Sequence, residues 1–117
     1  MWVQHWDVTA IDAPDGTRDP AVLETADSAR AIVIRLTPGQ SLGDHRVRER
    51  AWVMVVEGQA RFEADGQAVE AGPGMLFSFD PGETHSVHSA TGARIVLILS
   101  DWPGEGHFPA EQGNPGA

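Results

Sequence analysis

Two histidines, His45 and His85, are the residues whose type and setting best suit chemistry in a single site. Each lies just beyond a glycine-marked turn and enters a segment of strand-forming residues. A neutral imidazole can ligate a metal ion, and near neutral pH it can also exchange a proton with a substrate. Two such residues, each opening a strand, predict a site at one mouth of a β-barrel. The alternative is that both are surface residues at the edges of turns.

The elements that must position these histidines are short strands joined by tight turns. The chain has 13 Gly and 8 Pro in 117 residues, and no window of the sequence has convincing helical periodicity. Turn signals recur between short apolar or alternating segments, as in sandwiches and barrels closed by hairpins. The sequence therefore predicts an all-β protein.

Taken in chain order, about ten strands are expected, at 1–7, 21–25, 31–37, 42–48, 51–57, 60–64, around Val69, and at 75–79, 86–90 and 94–100. A loop is expected at 12–20, and the charged run 48–50 reads as the tip of a hairpin. Asp65 and Gly66 predict a second, tighter hairpin. Trp2 and Trp6 are expected to be buried in the core, over a sheet edge or against a partner.

Composition excludes several classes of partner. The formal charge is −9, which disfavours binding to nucleic acid because that affinity comes largely from cationic side chains. The longest apolar run, 95–99, is far too short for a membrane helix, and no leader is evident, so we expect a soluble cytoplasmic protein without a membrane partner. With no cysteine, any metal must be held by histidine and carboxylate.

The segments around the two histidines resemble the signature motifs of the cupins, G-x5-H-x-H-x3,4-E-x6-G and G-x5-P-x-G-x2-H-x3-N. The matching residues are Gly39, His45 and Gly58 in the first motif, and Gly74, Gly82 and His85 in the second. The resemblance covers 31–100 and implies a cupin-type jelly-roll β-barrel, also called a double-stranded β-helix. We expect a single domain over 1–100, followed by a Pro/Gly-rich tail at 101–117.

This sequence also departs from the cupin pattern. Val47 stands at the position of the family's second histidine, and Ala51 at that of its glutamate. In the second motif Asp80 takes the proline position and Ser89 the asparagine position. Of the four metal ligands that the resemblance implies, only His45 and His85 remain.

A third metal ligand would have to come from elsewhere in the chain. Glu49 would give a two-histidine, one-carboxylate set with open positions, an arrangement suited to non-haem iron. Its place near the predicted hairpin tip argues against an inward direction. His88 is the other spare donor, but its parity is opposite to that of His85, so a regular strand turns it outward. The ion could be zinc, iron, nickel or manganese, or the protein could hold no metal.

Two classes of function follow. In the first, the protein is a small cupin enzyme of the dioxygenase, isomerase, cyclase or decarboxylase type. It acts on a small polar molecule, and His45 and His85 hold the ion or serve as acid and base. In the second, it is a metal-free binding or sensing module. Its apolar pocket would be lined by Val47, Ala51, Val53, Val55, Phe77 and Val87.

A homodimer is the expected assembly. The predicted strand at 51–57 is apolar on both faces, and together with Trp2 and Trp6 it leaves more apolar surface than one barrel can bury. The resemblance to cupins also implies pairing through such sheets. Symmetric dimers are the commonest oligomers of soluble proteins.

Overall fold

The computed structural model describes residues 3–13, 16–26, 28–45 and 48–100. In these ranges the chain is all-β, as the sequence predicts. The strands are β1 (Gly16–Ala26), β2 (Ala29–Leu36), β3 (Ser41–His45), β4 (Arg50–Gly58), β5 (Ala60–Ala64), β6 (Gln67–Ala71), β7 (Leu76–Phe79), β8 (His85–His88) and β9 (Ala93–Ser100). Within the described part of the chain, no helix is long and apolar enough to cross a membrane.

The strands form two antiparallel sheets. The larger sheet has the order β1-β2-β9-β4-β7, and the smaller one β3-β8-β5-β6. Strands that follow one another in the chain alternate repeatedly between the two sheets, which is the winding of a jelly roll. The predicted double-stranded β-helix is confirmed.

Alternation along each strand builds the core between the sheets. In β4, Ala51, Val53 and Val55 are buried, whereas Trp52 between them faces outward. The smaller sheet contributes Phe62, whose ring stacks on that of Phe77 at a centroid distance of 4.1 Å. Burial of one face of each sheet is the main stabilising term of such a fold.

The β5–β6 hairpin is confirmed with the predicted turn. Asp65 and Gly66 both have positive φ, 53° and 77°. Two consecutive residues of that kind match the right-handed twist of paired strands. The strand that carries Phe77 and Phe79 is also confirmed, as are the predicted strands within β2, β4, β5 and β9.

The hairpin predicted at 48–50 is wrong. β3 and β4 belong to different sheets, so the segment between them crosses from one sheet to the other. β3 pairs with β8 instead, and β4 lies between β9 and β7. A charged run between two strands signals a turn, but it does not say whether the strands it joins are partners.

The N-terminal predictions also fail in part. Residues 3–7 form no strand, and β1 begins at Gly16, inside the predicted loop 12–20. Pairing with β2 overrides the turn-rich composition of that segment, since strand formation depends strongly on the neighbouring strand. Trp6 is 40% exposed rather than buried within the chain. Trp2 and the tail at 101–117 lie outside the described residues.

Candidate functional site at one end of the barrel

The two histidines singled out by the sequence are direct cross-strand partners. β3 ends at His45 and β8 begins at His85, and these two residues oppose each other in the antiparallel register. Leu42 opposes Val87, so β3 has one extra residue between Leu42 and His45. This β-bulge brings His45 into register with His85, at a barrel end where such irregularities are common.

Contacts with Phe79 and Glu83 orient the His85 side chain. Its ring lies flat on that of Phe79, with centroids 4.1 Å apart and an interplanar angle of 5°. Its Nδ1 atom is 3.2 Å from the carbonyl oxygen of Glu83. A carbonyl only accepts hydrogen bonds, so Nδ1 carries the proton in the neutral ring and Nε2 carries the lone pair. Only 5% of His85 is exposed, and it faces the space between the sheets.

The turn before His85 is braced by its own side chains. The backbone amide of Glu83 donates to the carbonyl of Asp80 at 2.9 Å. The Glu83 carboxylate accepts from the Asp80 amide at 2.8 Å. Asp80 and Glu83 are therefore turn residues, and their contacts hold the Glu83 carbonyl that accepts a hydrogen bond from His85 Nδ1.

Arg50, at the start of β4, ties this turn to the larger sheet. One of its guanidinium nitrogens, Nη2, lies 2.7 Å from the Asp80 carboxylate, and Nη1 donates to the Ser78 hydroxyl at 2.8 Å. The pair is largely exposed, so we expect little stabilisation from it. Its effect is geometric, because it joins the strand that follows Glu49 to the turn that precedes His85.

Glu49 is buried, although its predicted position at a hairpin tip argued against an inward side chain. Only 1% of it is exposed, and it has the same parity as Ala51 and Val53 on the inward face of β4. Burial raises the pKa of its carboxyl, while a backbone hydrogen bond and the charges of Arg48 and Arg30 oppose that shift. The crossover between the sheets turns this carboxyl inward at the same barrel end as His85.

Five of the six predicted pocket residues lie on the inner walls of the barrel. Ala51, Val53, Val55 and Val87 are buried members of the core, and Phe77 packs against them. Val47 lies outside the described residues. The wall next to His85 is therefore apolar, with polar groups supplied at the barrel end.

His88 faces outward, as its parity predicts. It is exposed on β8, on the opposite side of the strand from His85 and Val87. Among the described residues, no group of three or more His, Asp, Glu or Cys side chains is placed to hold a metal ion.

Ser89, at the family's asparagine position, has a structural role that the sequence does not reveal. It is completely buried, and its hydroxyl donates to the Gln59 carbonyl at 2.6 Å and accepts from the Gly92 amide at 2.8 Å. Its backbone also bonds to Gly39 and Gln40. Phe79 was likewise missed as a site residue, although its place just before the Asp-Pro-Gly turn was a usable signal.

The fold and the site together define a class, a small double-stranded β-helix with a fixed histidine at one end of the barrel. The family model described as a cupin domain matches residues 32–100, and the chain belongs to the cupin family. No curated protein matches the sequence significantly.

Solved structures support the same fold. An uncharacterised conserved protein from Klebsiella pneumoniae with a double-stranded β-helix domain is 18% identical over 95% of this chain and 100% of its own, with a TM-score of 0.75. A predicted oxalate decarboxylase from Thermotoga maritima is 24% identical over 70% of this chain and 78% of its own, with a TM-score of 0.65. The DMSP lyase of Ruegeria pomeroyi is 19% identical over 64% of this chain and 39% of its own, with a TM-score of 0.61. At these identities the likeness concerns the fold.

Proposed function

We propose that this cupin binds a small polar molecule at the barrel end around His85, together with a divalent metal ion held by His45 and His85. The observation that carries the proposal is the register of β3 and β8, in which the two histidines oppose each other directly. Cross-strand partners in an antiparallel pair are the closest neighbours that two strands offer. Two histidines that oppose each other in this way can supply two ligands to one metal ion.

The orientation of the His85 ring supports the same proposal. A metal-ligating histidine typically donates its second ring N–H to a carbonyl or carboxylate, which fixes the tautomer and aims the other nitrogen. The contact between Nδ1 and the Glu83 carbonyl is of this kind and assigns the lone pair to Nε2. When bound, a divalent ion would polarise an oxygen atom of the small molecule.

Two histidines alone leave most coordination positions to water or ligand, so we expect weak and exchangeable binding of zinc, iron, nickel or manganese. Glu49 is the candidate third ligand, because its buried carboxyl lies at the same end of the barrel. The charges of Arg30 and Arg48 favour its ionised form but also compete with a metal for it. Glu49→Gln therefore tests whether the carboxyl takes part.

The second candidate function is a metal-free binding module. Ala51, at the position of the family's glutamate, is buried in an apolar wall that includes Val53 and Val55. These residues favour the binding of a ligand with an apolar part, with His45 and His85 as direct hydrogen-bonding partners. If the protein is an enzyme rather than a binding module, one of the two histidines would exchange a proton with the substrate.

The test is calorimetric titration of chelator-treated protein with zinc, manganese, nickel and, without oxygen, ferrous iron. We expect a stoichiometry near one for the wild type and loss of binding in His45→Ala and in His85→Ala. His88→Ala is the matched control, since it removes an imidazole from the outer face of the same strand. Equal loss in His88→Ala would contradict the assignment, and no binding by the wild type would favour the metal-free module.

We also propose that the protein is a homodimer joined through the outer face of the larger sheet. Trp52 is 41% exposed, Leu76 55% and Ile98 40%. Trp52 and Ile98 are cross-strand partners, and Met54 beside them opposes Leu76. This contiguous apolar surface is the kind that marks an interface.

A further inference from the structure

We infer that Arg50 is a positioning residue for His85, and that it acts through the two chain neighbours of Phe79. Arg50 contacts Ser78 and Asp80. These two residues flank the ring that stacks on the imidazole. The role assigned to Arg50 rests on the proposed function, because it concerns the same site. The orientation of the imidazole, however, is a property of the ligand-free protein and can be measured without metal.

Arg50 continues the pairing between β4 and β7 where the backbone ladder ends. The last pair of that ladder is Ala51 with Phe79, and β7 ends there. In the same antiparallel register Asp80 stands opposite Arg50, and Ser78 is its diagonal neighbour. Both side chains accept hydrogen bonds from the guanidinium group, Asp80 from Nη2 at 2.7 Å and Ser78 from Nη1 at 2.8 Å. One side chain therefore extends the strand pair past its last backbone contact.

The two contacts hold the chain on both sides of Phe79. Side chains alternate along a strand, so Phe79 points inward between Ser78 and Asp80. Only 6% of Phe79 is exposed. Its ring lies parallel to the imidazole of His85, with an interplanar angle of 5°. A shift of the end of β7 would tilt this ring, so Arg50 acts on one face of the imidazole through Phe79.

Asp80 also connects Arg50 to the hydrogen bond made by Nδ1 of His85. The Asp80 carbonyl accepts from the Glu83 amide at 2.9 Å, and the Asp80 amide donates to the Glu83 carboxylate at 2.8 Å. The Glu83 carbonyl in turn lies 3.2 Å from Nδ1. A displacement of Asp80 would therefore move the acceptor that selects the Nδ1–H tautomer and leaves the lone pair on Nε2.

The alternative role for Arg50 is stabilisation of the fold by a surface ion pair. The side chains of Arg50 and Asp80 are 37% and 73% exposed, and ion pairs of this kind contribute little to stability. A planar guanidinium group holds two acceptors in a fixed fork, whereas the ammonium group of lysine is a point charge. A positioning role therefore predicts that lysine cannot replace Arg50, while a role of charge alone predicts that lysine suffices.

The experiment records the NMR shifts of the two imidazole nitrogens of His85 in full-length, chelator-treated protein. The pH is mildly alkaline, where histidine side chains are ordinarily neutral, and His85→Gln identifies the signals by their loss. We expect the Nδ1–H form to predominate in the wild type. In Arg50→Gln and in Arg50→Lys the Nε2–H form should reach a comparable population, and zinc affinity measured by calorimetry should fall about tenfold. The melting temperature should change little in either variant.

Arg61→Gln is the matched control, because it removes an exposed arginine that pairs with Glu63 and Glu70 on the smaller sheet. Its imidazole shifts and zinc affinity should equal those of the wild type. Asp80→Asn removes the carboxylate charge and keeps the backbone of the turn. It should move the tautomer in the same direction as Arg50→Gln, and it provides the decisive measurement if Arg50→Gln does not fold.

Unchanged His85 shifts in Arg50→Gln, or equal changes in Arg61→Gln, would overturn the role of Arg50. A wild-type protein in which the Nε2–H form predominates would overturn it as well. Absence of zinc binding by the wild type would count against the proposed metal site alone, since the tautomer is measured in metal-free protein.

Discussion

The imidazole of His85 lies parallel to the ring of Phe79, with centroids 4.1 Å apart. The two residues flank the turn Asp80–Glu83, so the same turn carries the aromatic support and the carbonyl that binds Nδ1. Phe79 also opposes Ala51 on β4, which links the histidine to the inner wall of the larger sheet. The orientation of His85 therefore depends on both sheets.

Phe79→Leu is expected to weaken ligation by His85 with only a modest loss of stability. Leucine keeps much of the apolar volume, so the free energy of unfolding should fall by no more than about 1.5 kcal/mol. The substitution removes the aromatic ring that stacks on His85. The affinity for zinc should therefore fall about tenfold, as it does when other residues that orient a metal ligand are substituted. Calorimetry measures the affinity and urea unfolding the stability.

The control is Phe77→Leu, whose ring stacks on Phe62 at 4.1 Å. It should lower stability to a similar extent without changing the zinc affinity. Equal affinities in wild type and Phe79→Leu would mean that the stacking does not position His85.

Glu49→Gln should make stability less dependent on pH. Burial raises the folded-state pKa of the Glu49 carboxyl above the ordinary value of 4.5, so the protonated form is favoured by folding. The resulting stability is fully present below the unfolded pKa and is lost as pH rises through the folded pKa. Relative to wild type, Glu49→Gln should therefore gain stability as pH increases above 4.5, until the wild-type carboxyl is fully ionised.

Urea unfolding of chelator-treated protein across this pH range measures the difference. Glu63→Gln, at an exposed position on β5, is the matched control. A stability difference between Glu49→Gln and wild type that stays constant with pH would contradict the prediction.

Gly58→Ala should strongly destabilise the barrel. Its φ is +79°, and an added Cβ atom would lie 2.1 Å from the carbonyl oxygen of Gly92, a backbone atom that cannot move aside cheaply. Gly66→Ala is the control, with a similar φ of +77° and open space around the new atom. In the control, the free energy of unfolding should fall only by the conformational cost of about 1–2 kcal/mol. A melting temperature for Gly58→Ala as high as that of Gly66→Ala would show that the strands shift without cost.

Ser89→Ala should cost about 1–3 kcal/mol, because it removes the hydroxyl of a fully buried residue that bridges the Gly92 amide and the Gln59 carbonyl. Chemical denaturation gives this value directly. Ser86→Ala, on the neighbouring strand and only half-buried, should lie within about 0.5 kcal/mol of wild type. Similar losses for the two variants would assign the effect to the strand rather than to the hydroxyl.

The proposed dimer predicts a mass about twice the 12.6 kDa of the chain in light scattering coupled to size-exclusion chromatography. Trp52→Ser combined with Leu76→Ser should yield the monomer, since both remove exposed apolar area from the outer face of the larger sheet. Trp2→Ser combined with Trp6→Ser tests whether the N-terminal segment takes part. His88→Ala, on the other sheet, should remain dimeric. A wild-type mass near 12.6 kDa at micromolar concentration would refute the dimer.

The sequence by itself determined most of the strands from β2 to β9 and singled out the two histidines. Alternation in β5 and β7 follows from a side-chain period of two, and the Asp65-Gly66 hairpin from its turn chemistry, so both were readable locally. The spacing of Gly39, His45, Gly82 and His85 sufficed to indicate the cupin fold. These signals lie within a few residues of what they predict.

Tertiary structure decided the features that depend on partners distant in the chain. The segment 48–50 has the composition of a hairpin tip, yet β3 pairs with β8 and β4 with β9, so Glu49 is buried at the crossover. Ser89 is structural because Gln59 and Gly92 meet at its hydroxyl. Arg35 and Arg94 become neighbours only through the register of β2 and β9. Pairing between distant strands sets burial and neighbours, and local composition does not specify it.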